Sequence, residues 1–270
     1  MATLRQADFD LIWGIGAGTA AAIEGVAPNN PDQKFAIVDY SAAKDERGVI
    51  PENLLRVRFR QEEAYFLQGV IAAKSSKAGA VGFLGGVEDE LTKEMEYGFR
   101  AGVIAVDPKI QILSGYAAST SDSSRGKALA NSIYAQGADV IYNAAGEAGK
   151  SVEQTALENS RNGKQRWVIA ADLMQVSGSP ETSLCSLVKS MDKVVFEVTR
   201  RLSYGEWKGG EVISFGLKEG GFELVPAPDK ASSPEVISAV EHFKEKLISG
   251  EFSVPKTKAE FASFLGKLPK

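Results

Sequence analysis

Short apolar runs alternate with amphipathic helical patterns along most of the chain. Between Gln61 and Ile71, apolar residues recur with the spacing of a helix, and a continuous apolar run at residues 80–84 then ends in two glycines. Such a run, bounded by glycines and followed by an acidic helix start, is typical of a strand buried in a parallel sheet. The order strand, glycine turn and helix predicts a ligand site above the end of the strand.

Comparable apolar runs recur at intervals that leave room for helices between them. The pattern therefore predicts an α/β fold class built on parallel sheets. We predict strands at residues 10–16, 35–39, 81–84, 110–113, 139–142, 167–171 and 212–217.

The composition fits a globular chain and disfavours several classes of partner. Of the 270 residues, 44% are hydrophobic and 24% are charged, which suits one large domain or two lobes. A net charge of −4 without a block of Lys and Arg disfavours nucleic acid and anionic membrane surfaces. No apolar run approaches the roughly 20 residues of a membrane helix. Residues 1–8 have neither the basic nor the apolar region of an export signal, so we expect a cytoplasmic protein if Met1 is the native start.

The sequence contains one cysteine and one histidine. Cys185 has no second cysteine for an intrachain disulfide, and we expect it to fill space in the core. His242 lies in a helical pattern near the C-terminus and should face outward. One histidine does not make a two-histidine metal site, and the sequence has no G-x-S-x-G turn to hold a serine nucleophile. We therefore expect no catalytic residue, no metal site and no cofactor.

One segment favours a different class of protein, an NAD-dependent oxidoreductase. Gly14 and Gly16 follow an apolar run, a helical pattern comes next, and Asp39 ends the following strand. This order imitates a dinucleotide-binding fingerprint. Thr19 stands where that fingerprint has its third glycine, and a tight strand-to-helix turn needs glycines in any case. NAD binding is therefore the less favoured alternative.

The segment 59–102 resembles the basic membrane protein (BMP) family, the purine-nucleoside-type substrate-binding lipoproteins of ABC importers. It shares with that family an acidic-aromatic helix, a strand of the form V-G-F-x-G-G and a helix of the form E-x-G-F-x-A-G. Further blocks follow in family order at residues 9–12, 34–39, 137–142, 144–146, 171–172 and 216–221. The resemblance implies a type I periplasmic-binding fold, in which two parallel-sheet lobes close on a small polar ligand without catalysis. It also implies an ABC permease as partner and an extracytoplasmic, membrane-anchored location.

The family's chain path assigns the residues to two lobes. The resemblance implies a first lobe of residues 1–58 plus 184–210 and a second lobe of residues 59–183 plus 211–270. Residues 177–183 are either a crossover between the lobes or a surface loop. The strand, acidic loop and helix with which family members begin have no counterpart here, which implies an N-terminally truncated first lobe. Such a lobe would expose strand edges, through which we expect the chain to self-associate.

The resemblance places ligand-binding residues after several strands. Gly16 lies in a turn that lines the cleft, and Asp39 ends a cleft-facing strand, although a helix-capping or loop carboxylate has the same pattern. Gly146 belongs to a small-residue turn, where backbone N–H groups can approach a polar ligand. Asp172 ends another strand and is the strongest candidate, because a carboxylate accepts two ribose hydroxyls well. Lys189 matches the family's cleft lysine, with a solvated helix lysine as the alternative.

The pattern departs from the family where a nucleoside base would stack. Thr120 stands in place of the phenylalanine of the family motif S-F-x-D. Tyr116 or Tyr142 could compensate as a ligand-binding aromatic residue, and either could instead be packed in the core. Glu147 replaces a family glycine, and its carboxylate would either disfavour an anionic ligand or serve as an acid in the first turn of a helix. The ligand is therefore predicted as small and polar, with a purine nucleoside implied by the resemblance.

Two alternatives to a transport protein stay open at this point. A cytoplasmic ligand sensor or interaction protein of the same fold would explain the missing export signal. An NAD-dependent oxidoreductase would use the segment from Gly14 to Asp39.

Overall fold

The structure, a computed structural model, describes residues 9–40, 49–171, 181–226 and 233–267. The chain forms two units, which comprise residues 1–60 with 189–222 and residues 61–188 with 223–270. We call these the first and the second unit. The chain passes from one unit to the other three times, after Arg60, Val188 and Phe222.

Strands and helices alternate along the chain, as the sequence pattern predicted. The described strands are β1 (Ile12–Ile15), β2 (Phe35–Val38), β3 (Leu54–Phe59), β4 (Ala80–Gly85), β5 (Gln111–Tyr116), β6 (Val140–Ala144), β7 (Trp167–Ala170), β8 (Ser183–Lys189), β9 (Glu211–Phe215) and β10 (Phe222–Pro226). The described helices are α1 (Ala17–Val26), α2 (Gln61–Ser75), α3 (Glu90–Val106), α4 (Ser123–Ala135), α5 (Lys150–Arg161), α6 (Met191–Ser203), α7 (Pro234–Ser249) and α8 (Lys258–Lys267).

The first unit is built on a sheet of four parallel strands in the order β1-β2-β3-β9. Helix α1 covers one face, where Ile23 joins a buried cluster with Ile37 and Leu54. Helix α6 covers the other face through Val194 and Val198, which are fully buried. Because the strands are parallel, their carboxyl ends meet at one edge of the sheet.

The second unit has a sheet of six strands in the order β10-β8-β7-β6-β4-β5, in which β4 to β8 run parallel. Helices α4 and α5 bury one face with a cluster that includes Ile133, Ile141 and Val152. Helices α2 and α3 lie so close together that a Cβ added at Gly102 would come within 1.9 Å of the carbonyl oxygen of Phe66. Any side chain at this position would push the two helices apart.

Three of the observed strands, β3, β8 and β10, were absent from the sequence prediction. Strand β3 was missed because two arginines interrupt its apolar run. Both arginines are bonded within the first unit: Arg56 Nη2 lies 3.2 Å from Glu24 Oε1, and Arg58 Nε donates to Ser214 Oγ. Strand β8 ends in Lys189, so this lysine is a strand residue and the helical alternative for it is wrong.

The boundaries of the two units differ from those expected for the lobes. Strand β9 pairs in register with β3 and so belongs to the first unit, although residues 211–270 were assigned to the second lobe. Strand β8 pairs with β7 and lies in the second sheet, although residues 184–210 were assigned to the first lobe. Both pairings depend on the whole fold, which a local pattern does not reveal. Most of the predicted crossover, residues 177–183, lies outside the described residues.

The sole cysteine and the sole histidine lie where the sequence predicted them. Cys185 is buried in β8, and its burial raises the pKa of its thiol. His242 is exposed on α7, with its ring beside that of Phe243. In the described ranges, no helix combines the length and the apolar content that crossing a membrane requires.

Candidate functional site

Asp39 and Lys189 form an ion pair in the first unit. Asp39 directly follows β2, and Lys189 ends β8. The Nζ of Lys189 lies 2.6 Å from the Oδ1 of Asp39, and each side chain keeps 28% of its surface exposed. The same Nζ lies 5.8 Å from the centre of the Phe59 ring. The structure thus brings together two residues that the sequence predicted separately, and it leaves both accessible.

Asp39 also has an uncommon backbone conformation. Its φ is 60°, in the left-handed region that favours glycine. Ala118, two residues after β5, has a φ of 52°, and these two are the only non-glycine residues with a positive φ in the described ranges. Each follows a strand at the carboxyl edge of a parallel sheet, where ligand sites form. Residues held in such strained conformations cluster at functional sites.

Gly16 turns the chain from β1 into α1. Its φ is 81°, and its N–H donates to the carbonyl of Val38 at 2.8 Å, next to Asp39 along the chain. The predicted strand, turn, helix and following strand are therefore all formed. Thr19 lies in the first turn of α1, where its hydroxyl donates to the carbonyl of Ile15 at 2.7 Å. A threonine thus closes the turn at the position where a dinucleotide fingerprint has its third glycine.

Gly146 begins a 3-10 turn, Gly146–Gly149, that leads from β6 into α5. Its φ is 59°, a conformation that glycine adopts readily. The N–H of Ala148 donates to the carbonyl of Thr120 at 3.0 Å, which ties the turn after β6 to the segment after β5. Gly86, after β4, lies against the same segment, because a Cβ added there would lie 3.0 Å from the Thr120 Cγ2. Small residues and backbone groups therefore form this part of the carboxyl edge of the second sheet.

Tyr142 lies in the interior of the second unit and not at its surface. It is fully buried, and its ring stacks with those of Phe83 and Phe99 at centroid distances of 5.6 and 5.1 Å. Alternate residues of a strand point to opposite faces of the sheet, and Tyr142 points to the face that α3 covers. The packed-aromatic alternative describes this residue, and its ring offers no face to a ligand.

Tyr116 does not offer an open ring in place of the missing phenylalanine either. A Cβ added at Gly85 would lie 2.7 Å from the Tyr116 ring, so the ring packs on the backbone of the neighbouring strand. The Nζ of Lys93 lies 4.6 Å from the centre of the ring. The Tyr116 hydroxyl donates to Glu96. Neither predicted tyrosine therefore has an open ring face on which a base could stack.

Glu96 is a buried carboxylate that sequence reasoning missed. It accepts hydrogen bonds from the Tyr116 hydroxyl, from Lys93 Nζ and from Arg100 Nη1. Burial acts to raise the pKa of Glu96, but hydrogen bonds from Tyr116, Ser114 and Lys93 outweigh it and hold the pKa below its ordinary value. The sequence does indicate such a residue, because Lys93 and Arg100 lie one turn before and one turn after Glu96 on α3. This cluster fixes α3 against the end of β5.

Two other acidic residues were predicted to lie near the ligand, Glu147 and Asp172. The Glu147 side chain is 70% exposed and pairs with Lys150 Nζ at 2.5 Å, so its charge is offset within its own turn. Asp172, the strongest sequence candidate, lies outside the described residues. The described part of the chain holds no group of three His, Cys, Asp or Glu side chains suited to a metal ion.

Each of the two units has a largely parallel sheet with polar residues after the carboxyl ends of its strands, where ligand sites form in α/β proteins. A solved solute-binding protein of an ABC transporter system from Aeropyrum pernix has this fold. It matches with a TM-score of 0.74 and 25% identity, over 98% of this chain and 83% of that chain.

The sequence matches the family described as "ABC transporter substrate-binding protein PnrA-like" over residues 1–258, and the chain belongs to that family. It is 35% identical over 263 residues to Basic membrane protein A of Borreliella burgdorferi, covering 97% of this chain and 76% of the relative. It is also 34% identical over 263 residues to the ABC transporter nucleoside-binding protein BmpA of Lactococcus lactis, covering 93% of this chain and 72% of the relative.

Family membership confirms the resemblance, the fold class and the non-catalytic role that the sequence predicted. The protein is a solute-binding component of an ABC transporter, because its family and its structural relatives bind solutes and are not enzymes. The dinucleotide-like segment from Gly14 to Asp39 therefore belongs to a binding protein and not to an oxidoreductase.

Proposed function

We propose that the protein binds a purine nucleoside, or a closely similar neutral solute with vicinal hydroxyls, and presents it to an ABC permease. The observation that carries this proposal is the accessible Asp39–Lys189 pair in the first unit. The relative from Lactococcus lactis, described as nucleoside-binding, supports the same class of ligand.

The chemistry of the pair suits a neutral ligand that both donates and accepts hydrogen bonds. A carboxylate only accepts and an ammonium only donates, so Asp39 and Lys189 together can satisfy hydroxyl groups from both sides. Hydrogen bonds to charged groups are stronger than those between neutral groups. Because the two charges offset each other, the pair gives no net attraction for an anion or a cation.

Each unit also offers backbone groups to which a ligand could bind. Gly16 and Gly146 each begin a turn after a strand with a left-handed backbone, and neither has a side chain to hold a ligand away from the main chain. Asp172 stays a proposed ribose contact on the strength of the family pattern. We expect Asp172→Ala to abolish nucleoside binding while leaving the fold stable.

Titration calorimetry with adenosine, guanosine, inosine and uridine tests the proposal. We expect the unchanged chain to bind at least one purine nucleoside. Asp39→Asn keeps a residue that tolerates the left-handed backbone, and Lys189→Met keeps the length of the side chain. Each should weaken binding about 10- to 150-fold, the equivalent of one hydrogen bond of about 1.5–3 kcal/mol to a charged group.

A matched control comes from the Lys127–Glu158 pair of the second unit. Its side chains are 46% and 43% exposed, and it lies on α4 and α5, away from the strand ends. Lys127→Met should leave the affinity unchanged. Failure of every nucleoside to bind the unchanged chain would refute the proposal, and equal affinity in the Lys189→Met variant would remove the ion pair from the site.

We also propose an extracytoplasmic, membrane-anchored location, because the family role is to present a solute to a permease. The upstream reading frame tests this against the alternative of a cytoplasmic ligand sensor. An in-frame signal sequence with a lipid-modified cysteine would support transport. A stop codon directly before Met1 would favour the sensor.

Self-association through a strand edge is a further proposal about partners. Among the described strands of the first sheet, β1 is paired only on the side of β2. Ile15, the last residue of β1, is 54% exposed, and Phe9, three residues before the strand, is 46% exposed. We propose that β1 of a second copy pairs with this edge, since unpaired edges recruit strands.

Sedimentation velocity over a range of concentrations tests the strand-edge pairing. The unchanged chain should associate as its concentration rises, and Ile15→Lys should return it to monomer. Val49→Lys is the control, because Val49 is 98% exposed but lies outside any strand. A monomer at every concentration would contradict the proposal.

A further inference from the structure

Asn143 is a buried polar residue in an otherwise apolar strand. It lies on β6, next to the last residue of the strand, and it has no exposed surface. Burying an amide is costly unless it is hydrogen-bonded. The hydrogen bonds of Asn143 therefore offset the cost of burying its amide.

The side chain of Asn143 organises the turn that follows β6. Its Nδ2 donates to the carbonyl of Gly149 at 3.0 Å, and its Oδ1 accepts from the N–H of Ala145 at 3.3 Å. The turn is wrapped tightly around the amide, because a Cβ added at Gly149 would lie 2.2 Å from the Asn143 Oδ1. Asn143 thus fixes both ends of the turn that contains Gly146.

The main chain of Asn143 is also hydrogen-bonded to the residue that follows the neighbouring strand β7. Its carbonyl accepts from the N–H of Ala171, directly after β7, at 3.2 Å. The turn after β6 is in addition tied to the segment after β5 by the hydrogen bond between Ala148 and Thr120. Three consecutive strand ends of the second unit are therefore connected through one buried amide and the turn around it.

We propose that Asn143 is a positioning residue for ligand binding: it holds the Gly146 turn in the conformation that contacts the solute. This inference rests on the proposed function, in which the backbone of the turn forms part of the binding site. The amide is suited to the task because it donates and accepts at the same time. An aspartate of the same shape has no donor for the Gly149 carbonyl when ionised, and an alanine has neither group.

The test combines ligand affinity, thermal stability and hydrogen exchange in the full chain. Asn143→Ala should raise the Kd for the bound nucleoside at least tenfold, at a temperature where circular dichroism shows the variant to be folded. Amides of residues 144–150 should exchange faster in this variant, while those of β4 and α4 should be unaffected. Asn143→Leu keeps the approximate volume and removes both the donor and the acceptor, and it carries the same test if the alanine variant does not fold.

Ile141→Ala is the matched control. Ile141 lies two residues earlier on β6 and is fully buried, but it belongs to the apolar cluster and not to the turn. This variant should lower the melting temperature at least as much as Asn143→Ala, with a change in Kd of less than twofold.

The possible outcomes separate the inference from the proposed function. If the unchanged chain binds and Asn143→Ala binds equally well, or if its affinity falls without faster exchange in the turn, the positioning role is overturned. If Ile141→Ala weakens binding as much as Asn143→Ala, the effect is a general loss of stability and the role is again overturned. If the unchanged chain binds no nucleoside, the proposed function fails first and this inference fails with it.

Discussion

Ala118 holds a backbone conformation that an alanine adopts only when the surrounding structure imposes it. A left-handed conformation costs an L-residue other than glycine roughly 1–2 kcal/mol. Asp39 shares this conformation, but aspartate tolerates it better than alanine because its short side chain can form local hydrogen bonds. Ala118 is therefore the position where strain at the carboxyl edge of a sheet can be measured.

We expect Ala118→Gly to raise the free energy of unfolding by up to about 1 kcal/mol. The gain is smaller than the strain removed, because glycine also loses more backbone entropy on folding, about 0.5–1 kcal/mol. Urea unfolding measures the difference. Ala128→Gly, at an exposed position inside α4, is the control and should lower stability by about 1 kcal/mol. Equal losses in both variants would show that Ala118 is unstrained.

Glu96 should make stability depend on pH at the acid end. Its folded pKa lies below the ordinary value of 4.5, because hydrogen bonds from Tyr116, Ser114 and Lys93 outweigh the effect of burial. A depressed carboxyl pKa contributes stability that is present above the unfolded pKa and is lost as the pH falls through the folded one. Glu96→Gln should therefore cost about 1.5–3 kcal/mol at pH 7, and the difference should shrink below about pH 4.5.

Urea unfolding at several pH values from 7 to 3 tests the role of Glu96. Glu158→Gln is the control, because that carboxylate is 43% exposed and its ion pair with Lys127 is solvated. Hydrogen bonds from Gln154 and Lys127 also lower the pKa of Glu158, but water screens this exposed group, so the effect should be much smaller than that of Glu96→Gln at every pH. A constant difference between Glu96→Gln and the unchanged chain across the whole range would mean that the charge of Glu96 is not involved.

The candidate site was partly predictable at this scale. Asp39 and Lys189 were found singly, because a charged residue at the end of an apolar run is visible in the sequence. Their 2.6 Å contact was not, since it joins positions 150 residues apart. Asn143 was missed because, in the sequence, a polar residue after a short apolar run looks like the first residue beyond the strand. Tyr142 was placed in the site because the sequence does not reveal which face of the sheet an aromatic residue of a fully buried strand occupies.

Helices α2 and α3 of the second unit cross at very short range. A Cβ at Gly102 would come within 1.9 Å of the Phe66 carbonyl oxygen, and one at Gly69 within 2.1 Å of the Phe99 carbonyl oxygen. Both obstacles are backbone atoms, which do not move aside as a side chain can. The two helices therefore depend on glycine at these two positions.

Gly102→Ala should lower the free energy of unfolding by about 3 kcal/mol or more, the upper part of the range for overpacking. Thermal and urea unfolding measure the loss. Gly25→Ala in α1 is the matched control, because no atom lies within 4 Å of its added Cβ and it is exposed. It should leave stability unchanged or raise it by up to about 1 kcal/mol. Similar behaviour of the two variants would contradict the close crossing of α2 and α3.

Most elements were predictable from local pattern, and their pairing was not. Short apolar runs located seven strands correctly, since a buried parallel strand must be apolar on both faces. Strand β3 escaped because Arg56 and Arg58 are satisfied by partners elsewhere in the fold. Strand β9 was found but placed in the wrong unit, because its pairing with β3 joins residues far apart in sequence.

At the scale of the whole molecule, a binding protein is recognised by how a ligand changes its stability. A solute that binds only the folded chain stabilises it by an amount set by its concentration relative to Kd, about 2.7 kcal/mol at a hundredfold excess over Kd. For a chain of this size, such a change corresponds to a rise in melting temperature of about 5–11 °C. The shift requires no catalytic turnover, which suits a protein without an enzymatic readout.

We therefore expect a purine nucleoside at a hundredfold excess over its Kd to raise the melting temperature by about 5–11 °C. The same nucleoside concentration should shift the Lys189→Met variant much less, because the weaker affinity lowers the ratio of ligand to Kd. NADH should cause no shift, since Thr19 closes the turn where a dinucleotide fingerprint needs its third glycine. Differential scanning calorimetry measures all three changes in melting temperature. A saturable shift with NADH that Asp39→Ala abolishes would contradict the assignment, because the segment from Gly14 to Asp39 would then bind a dinucleotide after all.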